Sequence, residues 1–186
     1  MKRVILAITG ASGAILGIRA LELLKEAGVE THLVISRAAR QTLASETDWA
    51  IPEVEALAAT SYDPLEIGAR LASGSFATDG MLVVPCSIKT LSGIANAYTD
   101  NLIVRAADVC LKEGRKLILC VRETPLHSGH LRLMQLAAEA GAVIFPPIPA
   151  FYAAPQTVEA LVTNLAGRML LRLGIENKHY HHWDGE

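Results

Sequence analysis

Lys2-Arg3-Val4-Ile5-Leu6-Ala7-Ile8-Thr9-Gly10-Ala11-Ser12-Gly13-Ala14 decides how the rest of the chain is read. Val4 to Ile8 is apolar without alternation, the pattern of a strand buried on both faces. Gly10 and Gly13 permit a tight turn, and Ser12 is placed to cap a helix starting directly after it. A helix N-terminus at the end of a parallel strand suits a phosphate, through its free N–H groups and its dipole. The stretch therefore predicts a phosphate-bearing ligand on this turn. A glycine turn that only lets a helix pack on a strand remains the alternative.

The glycines run Gly10-x-x-Gly13-x-x-x-Gly17, not the G-x-G-x-x-G of dinucleotide sites. The next strand, Thr31 to Ile35, ends in Ser36-Arg37 where an NAD site needs an acid for the ribose; Arg37 suits an NADP phosphate instead. None of Tyr62, Tyr98, Tyr152 or Tyr180 has a lysine four residues later, so the short-chain dehydrogenase pairing is missing.

Working outward, Ala14 to Ala27 reads as a helix with Ile15, Ile18, Leu21 and Leu24 on its inner face, closed by Gly28. Arg37 to Trp49 is a second helix carrying Glu46, and Ile51 to Leu71, broken by Pro52 and Pro64, reads as short helices. Gly80 to Val84 is a third strand, and Pro85 to Gly93 repeats the first design of strand, hydroxyl-rich turn and helix. Helices over Leu102–Lys112, Gly129–Ala140 and Thr157–Leu173 alternate with strands over Lys116–Val121 and Ala142–Phe145. This alternation predicts an α/β fold with an open parallel sheet covered by helices on both faces. Ligands in such sheets sit beyond the carboxyl ends of the strands, where Ser12, Ser36, Ser87, Thr90, Arg122 and Glu123 gather. Residues 1–186 read as one domain, with a polar tail from about residue 174.

The chain has 17 Lys and Arg against 19 Asp and Glu, a formal charge of −2, which argues against a nucleic-acid or anionic-membrane partner. No apolar run has the length of a bilayer span, and no signal-peptide pattern precedes the first strand, so a cytoplasmic protein is expected. Cys86, Cys110 and Cys120 lack CxxC spacing and read as buried thiols.

The hydroxyl-lined turns suit a neutral hydrogen-bonding ligand with one phosphate, a description that flavin mononucleotide (FMN) fits; on spacing alone these residues serve equally well as caps. Arg122-Glu123 sets a cation for phosphate beside a carboxylate able to move a proton, or forms a structural ion pair. Residues 101–132 hold six Lys and Arg against three acids, which permits a second anion site, although Arg105, Lys112 and Arg168 also read as solvated helix-face cations. Phe151, Tyr152 and Trp183 suit a cation–π wall or a hydrophobic plug. His179, His181 and His182 have no matching acid or Cys cluster and read as a solvated tail, so no metal is expected.

Six segments in collinear order carry a resemblance: Thr9 to Ala14; Ser36 to Ala39 with Glu46-Thr47-Asp48; Pro85 to Gly93; Leu102 to Asp108; Val121 to Pro125; and Pro149 to Tyr152. Together they resemble the signatures of the flavin prenyltransferase (UbiX) family, within the HFCD-like flavoprotein superfamily; Ile51 to Thr78 and the His-rich tail are the least constrained parts. The resemblance implies a three-layer flavodoxin-like (Rossmann-like) fold that assembles into a dodecamer. It implies transfer of the dimethylallyl group of dimethylallyl monophosphate to N5 and C6 of reduced FMN. The product, prenylated FMN, is the cofactor of UbiD-type decarboxylases, including that of ubiquinone biosynthesis.

By resemblance, Gly10, Ala11, Ser12, Ser36, Ser87, Ile88, Lys89, Thr90 and Arg122 contact FMN, and Lys112, Tyr152 and Arg168 hold the allyl phosphate, bordered by Arg105 and Arg122. Glu123 handles the proton, Glu46 and Ser12 support the flavin end, and Trp183 closes the site. Two rivals share parts of the pattern. Flavin-dependent cysteine decarboxylases carry P-x-M-N-x-x-M where this chain has Pro147-Ile148-Pro149-Ala150-Phe151-Tyr152, and a first-helix histidine that residues 14–27 lack. A non-catalytic FMN carrier would need neither Glu123 nor the second set of cations.

Overall fold

The computed structural model describes residues 1–183 and residue 185. The elements run β1 (Arg3–Ile8), α1 (Ala14–Glu26), β2 (Glu30–Ile35), α2 (Arg37–Glu46), α3 (Ile51–Glu55), β3 (Thr60–Tyr62), β4 (Gly80–Cys86), α4 (Ile88–Ala95), α5 (Leu102–Lys112), β5 (Lys116–Val121), α6 (Ser128–Glu139), β6 (Val143–Ile144) and α7 (Val158–Leu173). The strands form one parallel sheet in the order β3-β2-β1-β4-β5-β6. Chain direction across the sheet reverses between β1 and β4, which opens a crevice where their carboxyl ends part.

The two faces separate by strand alternation. Leu6, Ile8, Leu33, Ile35, Leu82 and Ile118 pack under α1, α2 and α7, while Ile5, Ala7, Val34, Met81, Val83 and Leu119 pack under α4, α5 and α6. Since both faces are covered, the central strands read in the sequence as unbroken apolar runs. Cys86, Cys110 and Cys120 are free and buried in these layers; burial raises all three thiol pKa values, that of Cys110 to about 11 and that of Cys120 to about 12.

Three local expectations change. Ile51–Leu71 contains a sixth strand, β3, besides helix α3 and a 3-10 turn at Arg70–Ala72. It is a three-residue edge strand, mostly exposed, held beside β2 by its ladder and by a 2.9 Å hydrogen bond between Tyr62 Oη and the buried His32 Nδ1. Ile15 is 39 % exposed, because α1 lies against the sheet, α2 and α7 at once. Its uncovered stripe is Ile15, Arg19, Glu22 and Glu26, spaced as one helical face. Finally, α2 ends at Glu46, where Thr47 takes extended backbone angles and caps the helix.

Candidate functional site

The turn after β1 is built by long-range contacts. Thr9 is buried; its hydroxyl donates to Pro85 O at 2.7 Å and accepts from Ser87 N at 2.8 Å, locking the end of β1 to the turn that starts α4. Arg122 N donates to Cys86 O at 3.1 Å and ties the end of β5 to the same point. Gly10 lies so close to α2 that a Cβ there would come within 2.5 Å of Ala38 Cβ.

Ser12 does not cap α1. The N-cap is Gly13, at φ 100°, and no side chain caps it. Instead the Glu46 carboxylate, arriving from the end of α2, accepts from Gly13 N at 2.8 Å and Ala14 N at 3.1 Å, with the Ser12 side chain as a further donor. The expectation of a phosphate on this helix end is therefore corrected, since a carboxylate of the chain already occupies the amide groups that would bind it. Desolvation pushes the Glu46 pKa up. The bonds from Ser12, Gly13 and Ala14, with the nearby Arg122 charge, outweigh it and leave the pKa lowered.

The helix ends that do face open space are those of α2 and α4. Ser36 Oγ accepts from Ala39 N at 3.1 Å, and Ser87 Oγ accepts from Thr90 N at 3.4 Å while donating to Thr90 Oγ1 at 3.2 Å. Both serines are thus caps, and both line a cleft of about 480 Å³. Gly10, Arg37, Ala38, Lys89 and Thr90 line it too, together with Asp63, Pro64, Leu65, Asn101 and Ile103. Arg40 also reaches the cleft but is committed to Glu55 at 2.8 Å. The volume, the hydroxyl lining, the flat glycine edge and two helix N-termini fit a phosphorylated, ring-bearing ligand of FMN size.

Ser12, Glu46 and Arg122 come together beside the Gly10 edge of this cleft. Glu123 follows Arg122 at the end of β5, exposed, its carboxylate accepting from Thr124 N at 3.0 Å. A second group forms around the proline turn and the tail. Tyr152 meets Trp183 edge to face with centroids 5.5 Å apart, its hydroxyl lies 2.7 Å from that of Tyr180, and the Arg168 guanidinium sits 5.7 Å from the Tyr180 ring centroid. The tail is not merely solvated: His179 Nε2 pairs with Glu26 at 2.8 Å and Asn177 Nδ2 donates to Gly167 O at 3.0 Å.

Arg105 and Lys112 stand apart from both groups. Arg105 pairs with Asp108 at 2.6 Å and donates to Ala72 O, and Lys112 pairs with Glu113 at 2.6 Å on the last turn of α5. The start of α5 touches the cleft, so Lys112 lies about 15 Å of helix rise away from it. Arg115 is tied to Gly74 O and Phe76 O. One chain therefore does not gather the cations of residues 101–132 into a second anion site. Thr9 and Tyr180 are the contributors that the sequence reading did not single out; each is identified by its partner, 76 and 28 residues away respectively. Among the described residues, no group of three or more His, Cys, Asp or Glu is placed to hold a metal ion, and no helix is long and apolar enough to cross a membrane.

A flavoprotein family model matches residues 1–170. The flavin prenyltransferase UbiX of Salmonella typhimurium is 56 % identical over 188 aligned positions, covering all of both chains. The crystal structure of AnUbiX in complex with FMN and dimethylallyl pyrophosphate superposes with a TM-score of 0.98 at 47 % identity, covering 100 % of this chain and 98 % of that one. A dodecameric FMN-dependent UbiX-like decarboxylase from Escherichia coli O157:H7 superposes with a TM-score of 0.96, also at 47 % identity, covering 98 % of this chain and 100 % of that one. With this cleft, this sheet order and identity sustained along the whole chain, the protein belongs to the flavin prenyltransferase (UbiX) family.

Proposed function

We propose that this protein transfers the dimethylallyl group of dimethylallyl monophosphate to N5 and C6 of reduced FMN, releasing phosphate and prenylated FMN. The observation that carries the reading is the convergence of Ser12, Glu46 and Arg122 beside a hydroxyl-lined cleft in a chain 56 % identical to a named flavin prenyltransferase. FMN supplies the nucleophilic ring when bound. Gly10, Ala11, Ser12, Ser36, Ser87, Ile88, Lys89, Thr90 and Arg122 hold it, and the amide ends of α2 and α4 suit its phosphate.

The remaining work falls to side chains. Ser12 and Glu46 fix the flavin end of the site, and Glu46 stays ionised because its hydrogen-bond donors outweigh its desolvation. Glu123, exposed beside Arg122, moves the proton, either to the leaving phosphate or from the ring. Tyr152 and Arg168 hold the donor phosphate, and Trp183 closes over the prenyl group. Arg105 and Lys112 complete the phosphate site from a neighbouring copy, since their own chain keeps them away from its cleft. A homo-oligomer is accordingly part of the reading, with a dodecamer as the assembly seen in the Escherichia coli relative. The product passes to a UbiD-type decarboxylase.

The test is anaerobic incubation of the protein with reduced FMN and dimethylallyl monophosphate, followed by flavin mass and phosphate release. A gain of one C5 unit with equimolar phosphate is expected. Bound but unmodified flavin, with either the monophosphate or the pyrophosphate as donor, would overturn the reading.

A further inference from the structure

Tyr180 plays no part in the assignments above, yet the structure takes care to place it. The tail crosses α7 at Gly167, where an added Cβ would lie 2.9 Å from Tyr180 N. Asn177 fastens the crossing, with Nδ2 donating to Gly167 O and Oδ1 accepting from His179 N, both at 3.0 Å. His182 packs edge-on against the Tyr180 ring with centroids 4.7 Å apart. This delivers the Tyr180 hydroxyl to within 2.7 Å of the Tyr152 hydroxyl, and its ring beneath the guanidinium of Arg168, the residue next to Gly167.

Two phenols at this distance share one hydrogen bond and leave one proton free. If Tyr180 donates, the proton of Tyr152 is released toward a third group, and an anionic acceptor there strengthens both bonds of the chain. The ring face meanwhile restrains the long Arg168 side chain. We propose that Tyr180 is a positioning residue for the prenyl donor: its hydroxyl turns the Tyr152 proton toward the donor phosphate and its ring holds Arg168 beside it. The proposal rests on the reading of Tyr152 and Arg168 as phosphate ligands. It adds a tail residue whose effect passes wholly through those two.

The test uses full-length protein with reduced FMN, comparing wild type, Tyr180→Phe, Tyr152→Phe and the double variant for initial rate against dimethylallyl monophosphate concentration. Tyr180→Phe keeps the ring and removes only the hydroxyl. Its KM for the donor is expected to rise about five- to tenfold, the size of one lost hydrogen bond to a binding group, with kcat and FMN affinity unchanged. In the Tyr152→Phe background the same change is expected to add nothing, and product inhibition by inorganic phosphate should weaken in parallel with KM. An unchanged KM in Tyr180→Phe, or an equal factor in both backgrounds, would overturn the positioning role alone. A Tyr152→Phe variant with normal donor dependence would instead remove the phosphate-ligand reading, and this proposal with it.

Discussion

Glu46 stands at the junction of two helices, its carboxylate on the amide end of α1 while its own backbone closes α2. Because its pKa is lowered in the folded protein, its contribution to stability is complete above the ordinary carboxylate value and disappears as pH falls through the lowered one. Glu46→Gln should therefore flatten the acid limb of a Tm-against-pH curve below about pH 5, while leaving Tm near neutrality lower than in wild type. The buried His32, pushed down by desolvation and partly held up by Glu30, follows the same sign, because it must enter the fold neutral. Its loss begins at higher pH, below about 6.5, so titrating both Glu46→Gln and wild type separates the two groups. Glu123 has a different role. Exposed, with its carboxylate accepting from Thr124 N at 3.0 Å, it contributes little to folding, and its proposed task is to move a proton. Glu123→Gln should bind FMN normally and keep its Tm, yet form product at least about a hundredfold more slowly; single-turnover flavin mass spectrometry measures the difference.

Among the elements, the decisive joint is Thr9, which clamps the end of β1 to the end of β4 and the turn that starts α4. Thr9→Val preserves shape and β-propensity, and Pro85 O keeps its bond from Thr9 N at 3.2 Å, but Ser87 N is left short of an acceptor. A loss of about 1–3 kcal/mol for that one unsatisfied group is expected, read as a lower urea midpoint, together with weaker FMN binding because the α4 turn is released. The helices over Leu102–Lys112 and Val158–Leu173 and the strand over Lys116–Val121 were legible to within a residue, since each is a long apolar or amphipathic segment bounded by its own cap or turn. Strand β3 was not, because Thr60-Ser61-Tyr62 is too short to show a period and is held as a strand only by its pairing with β2. Ser12 was misread as a cap for a related reason. Local pattern reports which side chains can cap a helix, whereas here the winning group, Glu46, comes from 33 residues along the chain. The gathering of the glycine edge and the hydroxyls of Ser36, Ser87 and Thr90 was legible because they recur at strand ends, and the structure lines one cleft with them. Tyr180 was not, since its meaning lies in Gly167 and Tyr152.

At the scale of the whole molecule, the residues proposed for one reaction are distributed over three places: the cleft beside Arg122, the aromatic group around Tyr152, and the far end of α5. Lys112 is paired with Glu113 there, so a donor phosphate must compete with an exposed carboxylate for it. Lys112→Ala should accordingly raise KM for dimethylallyl monophosphate by about tenfold with smaller changes in FMN binding, measured by initial rates in the assembled protein. The remoteness of Lys112 from the cleft of its own chain also has a genetic consequence. If each working site draws Glu123 from one copy and Lys112 from another, Glu123→Gln and Lys112→Ala, both impaired when assayed with the donor well below its KM, carry complementary defects. Dissociated and reassembled together in equal amounts, or co-expressed in one cell, they should recover about a quarter of wild-type activity, the share of sites that chance gives both intact residues. A lesion in one allele would then be rescued by a different lesion in the other, and a single damaged gene copy would weaken sites built partly from sound subunits.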